Sequence, residues 1–286
     1  MQRLEVLVGS EWRNVVLGFD RVQDYLADTA SVGAVVGRCA NRIRNGAFML
    51  NGTPIQLETN HGHHHLHGGA AGFADQRWSG EALDGGVRFR LVEPDGYAGY
   101  PGRLEAMVDI EINESAVRYT FRARSDRDTI FNPTCHSYFN LVGTGYVHEH
   151  HLEVRASRYL PTDDDFLPTG DVSPVERTPL DLRAGVRLGD VIPATGGLDH
   201  CFVLDQGDGP AATLAAADLT MTVTTTEPGL QVYTSNGLAR PHRAVCLETQ
   251  HFPDAPNHPQ FPAVVLRKDD TFHSVTTFEF SGNLSA

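Results

Sequence analysis

Basic residues are scarce: 23 Lys and Arg face 36 Asp and Glu over 286 residues, a formal charge of −13. Such a chain offers no basic face to nucleic acid or to an anionic membrane, and neither is expected as a partner. Cysteine is thin as well, with four residues at 39, 135, 201 and 246 and no C-x-x-C pair. That excludes a disulfide scaffold and points to reduced thiols in a cytoplasm. No apolar run approaches the ~18 residues that span a bilayer. The first 14 residues carry Glu5, Glu11 and two Arg without the apolar stretch of a secretory signal. Three motifs are missing, and each removes a class of chemistry. There is no G-x-x-x-x-G-K-S/T loop for nucleotide phosphates, no G-x-S-x-G elbow and no H-x-x-x-H helical zinc pair with a flanking carboxylate.

What is present is turn-rich and alternating. Gly 28 and Pro 16 imply many turns and few long helices. Leu104, Ala106, Val108, Ile110 and Ile112 alternate with polar or exposed-type neighbours, and after Asn113-Glu-Ser the pattern resumes at Val117, Tyr119, Phe121 and Ala123. A two-residue period with a polar break predicts a hairpin with one face in the core. Residues 87–91, 219–224 and 272–280 supply further strands, and the only helix expected lies near residues 20–28. The composition shows no repeat or linker. The whole of 1–286 therefore reads as one all-β domain, a large antiparallel sandwich with long loops.

Fourteen His are a generous supply of the side chain suited to proton transfer near neutral pH. Five segments concentrate candidate chemistry. In Gly37-Arg-Cys-Ala-Asn41-Arg42-Ile, Asn and Arg can hold hydroxyl oxygens, although taken alone the segment reads as a loop with two solvated Arg. His61-Gly-His-His-His-Leu-His67 invites a metal, but the loop spacing supplies no carboxylate partner before Asp75, so no metal site is expected. His67, before Gly68-Gly69, can instead present one imidazole to a ligand. His136 sits among Asn, Ser and Tyr in an otherwise apolar stretch. Asp199 follows Gly196-Gly-Leu. Glu248 falls inside the strand-like run Cys246-Leu-Glu-Thr-Gln, where a carboxylate must find partners or shift its pKa.

From about Val15 to Phe280 the chain resembles the aldose 1-epimerase (galactose mutarotase) family. The resemblance is carried by Val15-Val-Leu-Gly-Phe-Asp, Gly37-Arg-Cys-Ala-Asn-Arg-Ile, Leu66-His-Gly-Gly and Asp95-Gly-Tyr-Ala-Gly-Tyr-Pro-Gly. It continues through Asn132-Pro-Thr-Cys-His-Ser-Tyr-Phe-Asn-Leu, Leu167-Pro-Thr-Gly, Gly197-Leu-Asp-His, Gln231-Val-Tyr-Thr-Ser-Asn and Cys246-Leu-Glu-Thr-Gln-His-Phe-Pro-Asp-Ala, in shared order. It implies a β supersandwich, anomer interconversion of free hexoses, no cofactor and no metal. It also implies Glu248 as general base, His136 as general acid, and Asn41, Arg42, His67, Asp199 and Gln231 as holders of the monosaccharide's hydroxyls. Relatives usually carry one or two further strands before the Val15 segment, so either a shortened N-terminal edge or a start further upstream is expected. They often have Pro or Asn where this chain has His63 and His64. Three rivals stand beside this reading: a non-catalytic sugar-binding module, a hexose-6-phosphate epimerase, and a glycoside hydrolase pairing Asp199 with Glu248.

Overall fold

The computed structural model describes residues 1–282. Two antiparallel sheets dominate it. The larger has nine strands in the spatial order Val186–Arg187, His151–Val154, Ala212–Ala216, Leu219–Thr225, Thr271–Gly282, Ala116–Ser125, Leu104–Ile112, Gly86–Glu93 and Ser79–Leu83. The smaller has six: Tyr138–Phe139, Val245–Gln250, Gly229–Tyr233, Asp199–Val203, Arg158–Tyr159 and Ser173–Pro174. Val108, Phe121 and Phe278 from the first sheet and Phe202, Val232 and Leu247 from the second share one buried cluster, which makes the pair a sandwich.

The hairpin expected from alternation forms as Leu104–Ile112 against Ala116–Ser125. Leu104, Ala106 and Val108 enter the core, and Glu105 remains exposed. Asp109, facing Arg88 across the ladder, accepts two hydrogen bonds from that guanidinium at 2.6 and 2.7 Å and a third from Arg122 at 2.6 Å. The expected strands at 219–224 and 272–280 are Leu219–Thr225 and Thr271–Gly282. In front of Val15, Glu5–Val8 and Glu11–Asn14 form a two-stranded sheet of their own.

Two expectations need correction. The helix expected near residues 20–28 is Val22–Leu26, but a second, Leu188–Thr195, also forms. Pro193 and the following Gly pair read as loop. The helix survives them because Leu188, Val191 and Ile192 bury one face and Gly196 ends it in the left-handed region. Arg38, read as solvated, is fully buried. Its guanidinium pairs with Glu93 and donates to the Pro101 carbonyl at 3.0 Å, and Tyr100 lies against it. Its charge is thus compensated inside the protein, where an unpaired one would be untenable.

Candidate active site

A cleft of about 690 Å³ opens beside the smaller sheet. Its walls include Asn41, Arg42, His67, His136, Asp199 and Glu248, which come from five segments of the chain. Glu248 lies in Val245–Gln250, a strand buried at all six positions, which is why no alternation marks it. Its cross-strand neighbour is Gln231, and Asp199 lies one strand further on, opposite Tyr233. Ladder register alone therefore brings three polar side chains to one patch.

His136 Nε2 stands 3.6 Å from Glu248 Oε1. Both side chains are buried, and His136 Nδ1 and Glu248 Oε2 have no hydrogen-bond partner. Burial drives the Glu248 carboxyl well above the ordinary range; Asp199 adds to the rise and Arg42 opposes it. Burial likewise lowers His136 to about 4. Both shifts disfavour charge, as removal from water requires.

The other candidates form a linked frame. Gln231 is set behind the cleft wall and donates from Nε2 to Asp199 Oδ1 at 2.6 Å. The second oxygen of Asp199 lies 3.7 Å from Arg42 Nη2. Asn41 Oδ1 accepts from the Arg42 backbone N–H at 2.8 Å and from Arg42 Nη1 at 3.3 Å, while Arg42 Nε is buried and unpartnered. Asn41 thus turns its acceptor toward Arg42. Asp254, just past the Glu248 strand, secures the segment. Its N–H donates to the Arg42 carbonyl and its Oδ1 accepts from the Arg44 N–H, both at 3.0 Å.

The five-His loop disperses. His61 reaches the cleft, His63 is exposed, and His64 Nε2 faces Asp165 at 3.4 Å. His65 is buried against the Tyr100 hydroxyl at 2.6 Å. Only His67 joins the candidate pair. His67, His136 and Glu248 offer ligand atoms within 4.8 Å of one another, the one such group among the described residues. The hydrogen bonding of His67 does not suit a metal. Its Nδ1 accepts from the Asn41 backbone N–H at 3.1 Å, and a backbone N–H can only donate. The ring proton is therefore on Nε2, which makes His67 a hydrogen-bond donor to the cleft. Burial first, then His136 and Arg42, holds its pKa well below the usual value, so it stays neutral.

The profile of the aldose 1-epimerase family matches residues 2–279. The chain belongs to the aldose 1-epimerase family. It is 39% identical to galactose mutarotase of Rattus norvegicus over 94% of this chain and 84% of that one. It is 35% identical to aldose 1-epimerase of Haemophilus influenzae over 96% and 88%. An aldose epimerase homologue from C. elegans superposes with a TM-score of 0.95 at 28% identity, covering 99% of this chain and 93% of that one. Galactose 1-epimerase from Lactobacillus acidophilus NCFM gives 0.86 at 29%, covering 95% and 86%.

All seven candidate residues of this aldose 1-epimerase family member gather at the cleft, Gln231 at one remove. Tyr138 and Tyr233 also line it. Both lie inside segments singled out in the sequence, but an aromatic on a strand reads as core. Asp254 gave a weaker signal, because its role is exercised through the backbone of a segment more than 200 residues away.

Proposed function

We infer that this chain interconverts the α and β anomers of free hexoses of the galactose and glucose type, with Glu248 as base and His136 as acid. The observation that carries the reading is the 3.6 Å approach of these two buried groups at the floor of a cleft lined with hydroxyl-binding side chains. Glu248 removes the C1 hydroxyl proton, the C1–ring-oxygen bond breaks as the aldehyde forms, and His136 delivers its proton to the ring oxygen. Rotation about C1–C2 and reclosure, with the roles exchanged, give the other anomer.

Ionised Glu248 with charged His136 and the neutral pair contain the same single proton. Burial favours the neutral pair at rest, so the ionised form is the reactive one, reached by moving that proton from Glu248 to His136. Ring opening then returns the pair to its neutral form and removes charge from a buried site as the bond breaks. Asn41, Arg42, His67 and Asp199 hold the hydroxyls, with Gln231 orienting Asp199. Neutral His67 donates from Nε2.

The rivals fare worse. A binding module has no need of an unpartnered acid and base facing each other. A hexose-6-phosphate epimerase needs a cationic cluster, whereas the cleft lining has Arg42 against Asp28, Asp75, Asp199 and Glu248. For a hydrolase, Asp199 is committed to Gln231 and Arg42. The apolar cluster shared by both sheets supports one domain. Four free, buried cysteines support a reducing compartment, the cytoplasm.

Polarimetry of freshly dissolved α-galactose tests the reading. Added protein should speed the approach to an unchanged equilibrium rotation. A rate equal to the spontaneous one for both galactose and glucose would overturn it, and acceleration confined to hexose 6-phosphates would favour the phosphate-specific rival.

A further inference from the structure

The turn at residues 162–168 belongs to no site described so far, yet it is tied to two. Asp163 Oδ2 accepts from Arg44 Nη2 at 2.6 Å, and Asp165 Oδ2 faces His64 Nε2 at 3.4 Å. His64 Nδ1 accepts from the Asn45 N–H, so its proton is on the nitrogen that faces Asp165. Within the turn, Asp163 Oδ1 accepts the N–H groups of Asp165 and Leu167 at 3.0 and 3.1 Å, and the Phe166 N–H donates to the Asp163 carbonyl at 3.0 Å. The turn is therefore closed by its own hydrogen bonds and anchored to the segment just after Arg42 and to the His loop.

At its tip Phe166 adopts φ 61°, a left-handed conformation that a bulky side chain rarely accepts, and the residue is 49% exposed. The Asp163 hydrogen bonds hold the backbone in that state, and it leaves the half-exposed Phe166 side chain beside Arg42. Its ring lies 5.3 Å from the Arg42 guanidinium carbon, within cation–π range, and caps that otherwise buried group. On its other sides Arg42 meets Asn41 Oδ1 and, at 3.7 Å, Asp199.

We propose that Phe166 is a positioning residue for the reaction: its ring covers the Arg42 guanidinium, keeps water and ions from the Arg42–Asp199 pair, and fixes the direction of the Arg42 hydrogen bonds to the sugar. The inference rests on Arg42 acting as a sugar-binding group. It assigns Phe166 no contact with the reacting atoms. A charge pair covered from solvent resists salt, whereas an exposed one is screened.

The experiment compares Phe166→Ala, Phe166→Tyr and Phe166→Gly with Arg42→Ala, by polarimetry on α-galactose at low and high NaCl and by thermal melting. Phe166→Ala should lower kcat/KM about three- to tenfold, mainly through KM, as expected for loss of a cation–π contact and its cover. Its kcat/KM should fall further with salt, where the parent stays within about twofold. Phe166→Tyr should restore both properties. Phe166→Gly relieves the left-handed backbone, so its melting temperature should equal or exceed the parent's while its kcat/KM falls as in Phe166→Ala. A purely structural role would lower stability and activity together, and that result overturns the proposal. So does a parent-like kcat/KM in Phe166→Ala when Arg42→Ala is impaired. Full activity in Arg42→Ala would instead remove the sugar-binding role on which the inference rests.

Discussion

Asp109 and Glu248 are both carboxylates on strands of the same sandwich, and their surroundings push them in opposite directions. Asp109 lies on the outer face of the nine-stranded sheet, and hydrogen bonds from Arg88 first, then Arg122, outweigh burial and hold its pKa below the ordinary range. Glu248 lies on the six-stranded sheet in a strand buried throughout, and burial raises its pKa well above that range. A carboxylate that has its partners is part of the scaffold. One that is buried without them is held at a cost to stability and stays available for proton transfer.

The sharpest way to break this comparison is His136→Asn, which removes the imidazole facing Glu248. Its kcat should fall by roughly 10² to 10⁴, the share of a positioned acid or base. A near-normal kcat in stopped-flow polarimetry would remove His136 from the chemistry.

Acid stability should separate the two regions next. His136 and His150 are both lowered to about 4 by burial, and His150 Nε2 accepts the Leu141 N–H at 2.9 Å. Each takes up a proton in the unfolded chain near the usual 6.5 but only near 4 when folded. Folded stability is therefore intact above about 6.5 and falls as the pH drops toward 4, by up to about 3 kcal/mol per group. Urea titrations across that window should show a smaller loss in His150→Gln, which keeps an acceptor for Leu141 without the titration. An unchanged pH slope would refute the assignment. The same reasoning places the acid limb of kcat/KM near pH 4, where the neutral pair would gain a second proton.

Arg42→Ala should weaken transition-state binding by about 1.5–3 kcal/mol, the usual worth of hydrogen bonds to a charged group, read as kcat/KM on galactose. An unchanged value would place Arg42 with the scaffold arginines 88 and 122. The smallest effect expected is none. After dialysis against EDTA, with metal content checked by elemental analysis, polarimetric activity should persist, because proton transfer alone opens the ring and His67 presents N–H to the cleft. Activity lost with the metal and regained on adding one divalent ion would mean that the cleft uses a Lewis acid.

The scaffold was the more legible region. Alternation at 104–124 located a hairpin because one of its faces meets water, and that pattern carries the fold. The site strand 245–250 has no wet face, so periodicity was silent and Glu248 stood out only as a carboxylate inside an apolar run, sharpened by family resemblance. Arg38 was misread because its partner, Glu93, is 55 residues away. The short helix at 188–195 was hidden by Pro193, whose disruption is outweighed by the packing of Val191 and Ile192. The division of labour in the His loop was also unreadable, since the tautomers of His67 and His64 are set by donors outside the loop, the Asn41 and Asn45 N–H groups.

The central claim, that Glu248 is kept buried and unpaired for chemistry while Asp109 is kept paired for stability, is tested most directly by measuring mutarotation and unfolding free energy side by side for Glu248→Gln and Asp109→Asn. The account predicts that Glu248→Gln loses roughly 10² to 10⁴ in kcat with stability equal to or above the parent's. Asp109→Asn should keep its kcat and lose about 1–2 kcal/mol of stability. A Glu248→Gln protein that turns over normally, or an Asp109→Asn protein that is stable but inactive, would contradict it.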